Sequence, residues 1–453
     1  MSLIKQGSRI ATFVVASLAY GASADVPGTS AANAGVALRD IESTAPPRMA
    51  AEAPKFSMPT RPPMNAPVGS LKLQLDRFEM TGNTVFSRQS LNHLVADIVG
   101  SRVSFADMLR AANKITNFYR DAGYLVARAY VPEQEIQGGV VEIVILEGLV
   151  GEVDVRNLSD VSPALVARYL NNVRSGTVVS RDNVERTLLL MNDLPGVSAR
   201  ATFKVGKTEG TTDLDVDLFQ TSKVSGSLDL NNFGSEFTGE GRLGAAVYVN
   251  ELLGFGDSLG LRLLTSQNSD TVYGNVSYSF AAGGSGTRVG IKYSNLASDI
   301  GDEFELLDLE SEADTWGLFL THPIRRSRNF NVVSQVGIEK RDVTQTFGGP
   351  LSLSSSHDDV TVVTVGATAD YRENAGAGAV SSVGFALQTG VDDFGVNEAS
   401  RIGATGTFLK IGLSYSRLQY LTDRTSALVR FTGQFTEDPL VSSEQFSLGG
   451  PAG

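Results

Sequence analysis

From Lys223 to the end of the chain, apolar and polar residues alternate one by one in segments of about ten residues. In one of them Val272, Val276 and Phe280 lie in phase with one another and out of phase with Asn275 and Ser277. Successive side chains of a strand point to opposite faces, so each segment is predicted to be a strand with one apolar and one polar face.

Such strands must bury their apolar face. No apolar run reaches the ~18 residues that a membrane helix needs, so any crossing of a membrane has to be by strands. Lipid satisfies no backbone hydrogen bond, and a closed ladder of strands does. The sequence therefore predicts a transmembrane antiparallel β-barrel over 222–453. About eleven strands are present, joined alternately by short and mostly longer connections.

The N-terminus has the pattern of a secretory signal peptide over residues 1–24. Two basic residues precede the apolar stretch Ile10–Tyr20, and Ala22-Ser23-Ala24 is typical of a cleavage site. Residues 25–70 are rich in Ala and Pro, which predicts an extended linker. Ser30 is predicted to cap a short helix ending near Glu42.

Two segments between the linker and the strands share one element order. Residues 71–148 are predicted as strand (Leu71–Val85), helix, helix, strand (Leu125–Val131) and strand, and residues 149–221 repeat that order. Ser104 is the expected N-cap of a helix ending at Asp121, and Pro163 the expected first turn of another. The fold class is thus two tandem α+β domains followed by the barrel.

Composition excludes several kinds of site. The chain has no Cys, which excludes disulfides and thiolate ligands, and its three His are far apart, so we expect no metal site. A net charge of -12 argues against nucleic acid as a partner. We find no cofactor motif and expect no cofactor.

Two motifs resemble catalytic sequences. Gly256–Gly260 satisfies Gly-x-Ser-x-Gly, but a strand rather than a helix follows, so we interpret it as a hairpin turn. Ser356, His357 and Asp358 are the three residue types of a catalytic triad, but they are adjacent in the sequence. Adjacent side chains of an extended chain point to opposite faces and cannot converge on one site, so we expect a solvated loop. The acidic stretch Asp299–Asp314 is read as a wet outside loop, with divalent-cation binding as the alternative. We predict no catalytic residue and no enzyme activity.

The chain resembles a family at three places. Ala122–Gly148 is similar to the end of the first polypeptide-transport-associated (POTRA) domain of two-partner (type V) secretion transporters, the haemolysin and filamentous haemagglutinin secretion-activation family. Arg186–Leu218 looks like the second such domain, and Asn250–Arg262 like the family's first periplasmic hairpin. The resemblance makes 71–148 POTRA 1 and 149–221 POTRA 2.

The resemblance implies a sixteen-stranded barrel in the bacterial outer membrane, with the POTRA domains in the periplasm. A loop after the eleventh strand would enter the pore, and Leu448-Gly449-Gly450 matches the approach to its motif. We therefore expect this sequence to be a C-terminally truncated part of a longer protein. In the family an N-terminal helix plugs the pore, so 25–70 would be plug helix and linker; a disordered leader is the alternative.

The function expected is export of one dedicated large exoprotein, with outer-membrane lipid and lipopolysaccharide as further contacts and a monomer as the oligomeric state. An unfolded client would add as a strand to exposed POTRA edges. The candidate client-binding residues are Leu125, Ala127, Ala129, Val131, Ala199, Ala201, Phe203 and Val205. Alternatives are an assembly factor for outer-membrane barrels and a passive porin or adhesin.

Overall fold

The computed structural model describes residues 9–12, 56–57 and 72–446, apart from residues 209, 235–237, 268–269, 301–308, 349–354, 375, 394–398, 402, 405 and 423. Before residue 72 it contains two short strands, β1 (Arg9–Thr12) and β2 (Phe56–Ser57). The chain divides into two units: Glu52–Asp193 with Val197–Gln220, and the remainder. The predicted helix at Ser30–Glu42 lies outside the described residues.

The first α+β domain, residues 72–148, begins with β3 (Lys72–Gln74) and β4 (Arg77–Thr81). Helix α1 (Arg88–Leu94), a 3₁₀ turn (Ala96–Ile98), β5 (Arg102–Ser104), α2 (Phe105–Asp121), β6 (Arg128–Tyr130) and β7 (Val140–Leu146) follow. The sheet has the order β4-β7-β6, with β4 parallel and β6 antiparallel to β7, and β3 pairs with β5.

Local sequence explains the largest helix of this domain. Ser104 and Asp107 form a reciprocal capping box at the start of α2, as expected for a Ser N-cap with an acidic residue three positions later. Ile115 and Tyr119, one turn apart, are fully buried against Ile143 of β7. The apolar face of α2 and the inward positions of β7 thus make one core.

The second α+β domain, residues 149–220, repeats the order without counterparts of β3 and β5. It consists of β8 (Leu149–Leu158), α3 (Pro163–Leu170), a 3₁₀ turn (Asn171–Val173), α4 (Arg181–Asn192), β9 (Val197–Val205) and β10 (Thr211–Gln220). Its sheet has the order β2-β9-β10-β8. Strand β10 is antiparallel to β9 and parallel to β8, while β2 adds in parallel to the other edge of β9.

Strands β11 to β21 form one continuous antiparallel sheet in sequence order. Their bounds are β11 (Val224–Asn231), β12 (Arg242–Asn250), β13 (Ser258–Ser266), β14 (Thr271–Ala281), β15 (Arg288–Ile300), β16 (Leu309–Arg326), β17 (Phe330–Phe347), β18 (Ser356–Glu373), β19 (Ala379–Asp392), β20 (Thr407–Thr422) and β21 (Thr425–Thr436). A 3₁₀ turn (Ser442–Glu444) follows β21.

The two faces of this sheet differ as the alternation predicts. One face, here called the outer face, exposes large apolar side chains such as Leu263, Leu318 and Leu409. The opposite, inner face carries Lys292, Glu339 and Lys410, of which Lys410 is buried next to the exposed Leu409. An apolar outer face combined with a charged inner face is the pattern of a sheet that spans a membrane.

The helices of the two α+β domains and the eleven strands β11 to β21 agree with the prediction, whereas several short strands and several boundaries do not. The strand expected over Leu71–Val85 is two strands, and β5 was missed. The strand expected over Leu125–Val131 shrinks to β6 because the amide of Ala127 bonds to the carbonyl of Tyr124 in a turn. Strand β18 begins at Ser356, so Ser356–Asp358 is strand and not loop. Strand β16 likewise begins at Leu309, inside the stretch expected to be a loop.

Part of the predicted signal peptide is described. Arg9–Thr12 forms β1 and pairs in parallel with β21, from Arg9 opposite Thr425 to Thr12 opposite Leu428. The other residues of 1–24 lie outside the described residues. No helix in the described part of the chain is long and apolar enough to cross a membrane.

Candidate functional site

The predicted client-binding residues of the first α+β domain lie at and beside the short edge strand β6. Ala127 and Ala129 are buried in the core, and Leu125 and Val131 are half-buried. Because the side chains of the two alanines are buried, a partner could contact this edge there only through the backbone. Side-chain contacts would come from Leu125 and Val131.

A threonine of α2 covers the middle of that edge. The amide of Ala129 donates to the Thr116 hydroxyl at 2.9 Å, and the same hydroxyl donates to the carbonyl of Ala112 at 3.0 Å. The carbonyl of Ala129 lies 3.4 Å from it. Because these Ala129 groups turn to α2 and not to β7, the outward edge of β6 is not free at its central residue, contrary to the expectation of an exposed edge.

In the second α+β domain the predicted residues lie on the nine-residue strand β9. Ala199, Ala201 and Phe203 are buried, whereas Val205 is 60% exposed. The amide of Ala199 donates to Asn192 Oδ1 at 3.0 Å, and Asn192 Nδ2 donates to the carbonyl of Ala199 at 3.1 Å. Asn192 of α4 therefore satisfies one end of this edge in the way Thr116 satisfies β6.

Strand β2 occupies the next positions of the β9 edge. Phe56 lies opposite Ala201 and Ser57 opposite Thr202, in a parallel register. The edge was expected to be exposed over Ala199–Val205, and the structure pairs its middle with a segment of the chain's own linker. Binding of a client by these residues stays a prediction.

A buried carboxylate fixes the turn between β4 and α1. Glu147 accepts hydrogen bonds from the amides of Thr84 and Val85, each at 2.8 Å, from the Thr84 hydroxyl, and from the Tyr119 hydroxyl at 2.8 Å. Burial raises the pKa of Glu147, but the hydrogen bonds from Thr84 and its neighbours outweigh it and hold that pKa below its usual value. Burial and Glu147 together raise the pKa of Tyr119.

A chain of alternating charges crosses the inner face of the sheet. Lys292 binds Glu339 at 2.8 Å, and Glu339 and Glu444 both bind Arg341 at 2.5 Å. Lys410 then binds Glu444 at 2.5 Å. Glu444 is fully buried and comes from the 3₁₀ turn after β21, so ion pairs hold that segment against the strands.

Alternation alone places Lys292, Glu339 and Lys410 on the polar face of their strands, whereas Arg341 and Glu444 were not predicted there. Arg341 could have been found, because it lies two residues after Glu339 on the same strand and therefore on the same face. Glu444 has no such signal, since it lies in an irregular segment without alternation.

The two catalytic-looking motifs lie in a hairpin and in a strand. The amides of Leu252, Leu253 and Phe255 donate to the Asp257 carboxylate, and Ser258 donates to Asn250 across the hairpin at 3.0 Å. Gly256–Gly260 thus comprises the end of a hairpin turn and the first three residues of β13. In β18, His357 binds Thr344 at 3.1 Å, while Asp358 points to the inner face.

Comparison with known proteins identifies the family. Residues 210–452 match the model of the haemolysin secretion/activation protein family ShlB/FhaC/HecB, and residues 73–148 match the ShlB-type POTRA domain. The chain belongs to this family of secretion proteins. Two Haemophilus influenzae relatives are heme/hemopexin transporter proteins HuxB. One (strain 86-028NP) is 30% identical over 80% of this chain and 65% of the relative, and one is 28% identical over 94% and 76%.

Solved structures agree with the fold. CdiB from Escherichia coli has a TM-score of 0.68 at 22% identity and covers 86% of this chain and 73% of that one. CdiB from Acinetobacter baumannii has a TM-score of 0.62 at 15% identity, over 95% and 82%. The chain spans 57 to 76% of the length of the curated HuxB relatives. The protein is an outer-membrane protein whose POTRA region lies in the periplasm.

Proposed function

We propose that this protein transports one dedicated large exoprotein of the haemolysin or adhesin type from the periplasm to the cell surface. The observation that carries the proposal is an extendable strand edge, β9, in a periplasmic region that precedes a membrane-spanning sheet. An unfolded client would bind to that edge through main-chain hydrogen bonds, which need no particular client sequence.

The β9 edge supports capture in a defined stretch. Asn192 occupies the edge at Ala199. Backbone groups alternate between the two sides of a strand, so the next residues whose amide and carbonyl face this edge are Ala201, Phe203 and Val205. Strand β2 pairs at Ala201 and Thr202. A client that pairs from Val205 back towards Ala201 would first meet the exposed Val205 and would then have to displace β2.

Further parts of the proposal follow from the domain organisation. We assign residues 1–24 to a signal peptide, 25–70 to a plug helix and linker, 71–148 and 149–221 to two POTRA domains, and 222–453 to the barrel. The exposed apolar outer face would contact membrane lipid and lipopolysaccharide. The protein would act as a monomer without a cofactor.

Site-specific photo-crosslinking in the native host tests the capture step. A photoreactive residue replaces Val205 in the full-length protein, and its products are probed for the large secreted protein encoded beside the transporter gene. We expect a crosslink at Val205. The matched control replaces Val155, an exposed residue on the opposite edge strand β8, where we expect none.

Deletion of the gene separates export from barrel assembly. Loss of that one protein from the surface, with other outer-membrane barrels unchanged, is the result we expect. A simultaneous fall of many barrels would overturn the export proposal in favour of an assembly factor.

A further inference from the structure

Two buried aspartates face the inner side of the sheet at one end of β18 and β19. Asp358 is 0% exposed and Asp392 is 6% exposed. Strand β11 begins directly after the periplasmic domains and therefore runs towards the extracellular side. Because the strands alternate in direction, odd-numbered strands end at the extracellular side and even-numbered strands begin there. Both aspartates therefore lie near the extracellular end.

The strand register places the two side chains diagonally opposite each other. Asp392 is the direct partner of Val360, and Asp358 lies two residues from Val360 on the same face. Diagonal neighbours of an antiparallel pair are ~7 Å apart, somewhat less between Cβ atoms. Carboxylates at that spacing can both reach one cation at oxygen distances of about 2.4 Å.

Three of the four carboxylate oxygens of this pair lack a hydrogen-bond partner within the described residues. Asp358 Oδ1 accepts the amide of Ser400 at 2.9 Å, while Asp358 Oδ2 and both carboxylate oxygens of Asp392 have no partner there. Buried carboxylate oxygens without donors are costly, and a bound cation is one ligand that would satisfy them.

The neighbouring charges increase that need. The Glu444 carboxylate and the Asp358 carboxylate both act on Asp392 as like charges. Arg341 and Lys410 bind Glu444 at 2.5 Å each. The net charge at the two aspartates is therefore negative.

We propose that Asp358 and Asp392 bind a divalent cation, Ca²⁺ by preference, on the inner face of the sheet near its extracellular end. The donors are all oxygen, which suits Ca²⁺ or Mg²⁺ and not a soft metal. No three His, Cys, Asp or Glu side chains gather as metal ligands within the described residues. Hydroxyl, backbone and water oxygens complete the shell, as Ca²⁺ allows.

The bound cation would stabilise the segment that enters the inner face after β21. The amide of Ser442 donates to the Ser400 hydroxyl at 3.1 Å, and Ser400 in turn donates to Asp358. Leu440 and Val441 pack on Val360 and Phe408. Charge neutralisation at Asp358 therefore strengthens a junction of β18, β19 and this segment. The inference does not depend on the proposed export function.

Thermal unfolding of the full-length protein in detergent tests the site. We compare 5 mM EDTA with ~1 mM CaCl₂ for the unaltered protein, for Asp392→Asn and for the exposed neighbour control Asp393→Asn. Ca²⁺ should raise the melting temperature of the unaltered protein and of Asp393→Asn by roughly 5 °C. Asp392→Asn should not respond, and in EDTA it should be at least as stable as the unaltered protein.

Two outcomes overturn the proposal: no Ca²⁺ response in the unaltered protein, or an equal response in Asp392→Asn. A rise in stability on acidification with no Ca²⁺ response would mean that the two aspartates share a proton instead. Crystals soaked in Tb³⁺ locate the ion directly. An anomalous peak between Asp358 and Asp392 supports the site, and a Tb³⁺-bound crystal without that peak refutes it.

Discussion

The edge strands β6 and β9 occupy the same position in two domains of the same element order, yet they differ in what they offer a partner. In both, a polar side chain near the end of the preceding helix bonds the edge backbone: Thr116 at Ala129 and Asn192 at Ala199. Strand β6 has three residues, and its centre is covered. Strand β9 has nine residues; a side chain covers one end, and β2 pairs with its middle.

This difference is the reason for proposing capture at the second domain. A covered three-residue edge leaves little backbone for strand addition, whereas β9 continues from Ala201 to Val205 beyond Asn192. The chain places β2 on part of that stretch. An uncovered edge invites non-specific pairing, and the resident strand β2 protects part of this one.

The largest effect is expected from locking β2 onto β9. The chain has no Cys, so Ser57→Cys with Thr202→Cys introduces one possible disulfide between register partners. Neighbouring strands are ~4.8 Å apart, within the Cα range of disulfides. Under oxidising conditions we expect secretion of the client to stop, because β2 cannot leave, and dithiothreitol should restore it.

Each single cysteine variant serves as the control and should secrete normally in both conditions. If the oxidised double variant is crosslinked in full and still secretes at the unaltered rate, β2 does not compete with the client. The comparison between the two edges would then lose its functional meaning.

A second prediction concerns stability in the first domain. Glu147→Gln removes a charge that accepts several hydrogen bonds, and hydrogen bonds to charged groups contribute more than neutral ones, so we expect the β4–α1 region to lose about 2 kcal/mol. Hydrogen exchange of residues 72–148 in the full-length protein measures it. The corresponding turn of the second domain is held by neutral Asn157, which donates to the carbonyl of Val161 at 2.8 Å.

The pH dependence has a defined sign. The pKa of Glu147 is lowered by folding, so its stabilisation is complete above the unfolded value of about 4.3 and is lost as the pH falls through the folded value. Acidification from pH 6 to pH 3 should therefore increase exchange in the first domain of the unaltered protein more than in Glu147→Gln. Equal pH profiles for the two proteins would contradict the role of Glu147.

The fold was predictable where the sequence is periodic. Alternation fixed which side of each membrane strand is apolar, as the pair Leu409 and Lys410 illustrates, and capping residues fixed the start of α2 at Ser104. Strand ends were less predictable. Charged residues such as Glu310 and Glu312 read as loop, but the register extends β16 through them because its partner β15 continues to Ile300.

For the candidate site, the sequence predicted the two edge strands β6 and β9 but not what covers them. Covering of the edges depends on Thr116, Asn192 and β2, which contact β6 and β9 from elsewhere in the sequence. A hydrogen bond between a helix side chain and a distant strand leaves no periodic signal. The buried charges of Glu444 and Asp392 were missed for the same reason, since irregular segments and strand ends carry no alternation from which burial can be inferred.

The smallest effect is expected from removing one backbone amide that faces the open edge of β9, and one that faces the edge of β6. This pair of changes is the sharpest test of the difference between the two edges. The Ala199 amide faces outward to Asn192, so by alternation the Val205 amide faces outward too. Val205→Pro removes one donor to a client without removing a bond to β10, and we expect about fivefold weaker binding of the purified client secretion domain. Val131→Pro, next to Pro132 at the end of the covered β6 edge, should leave binding unchanged. Val205→Ala keeps the amide and separates the lost donor from the lost side chain. A larger effect at Val131 than at Val205 would reverse the assignment of capture, because it would mean that the Thr116 contact opens more readily than β2 leaves.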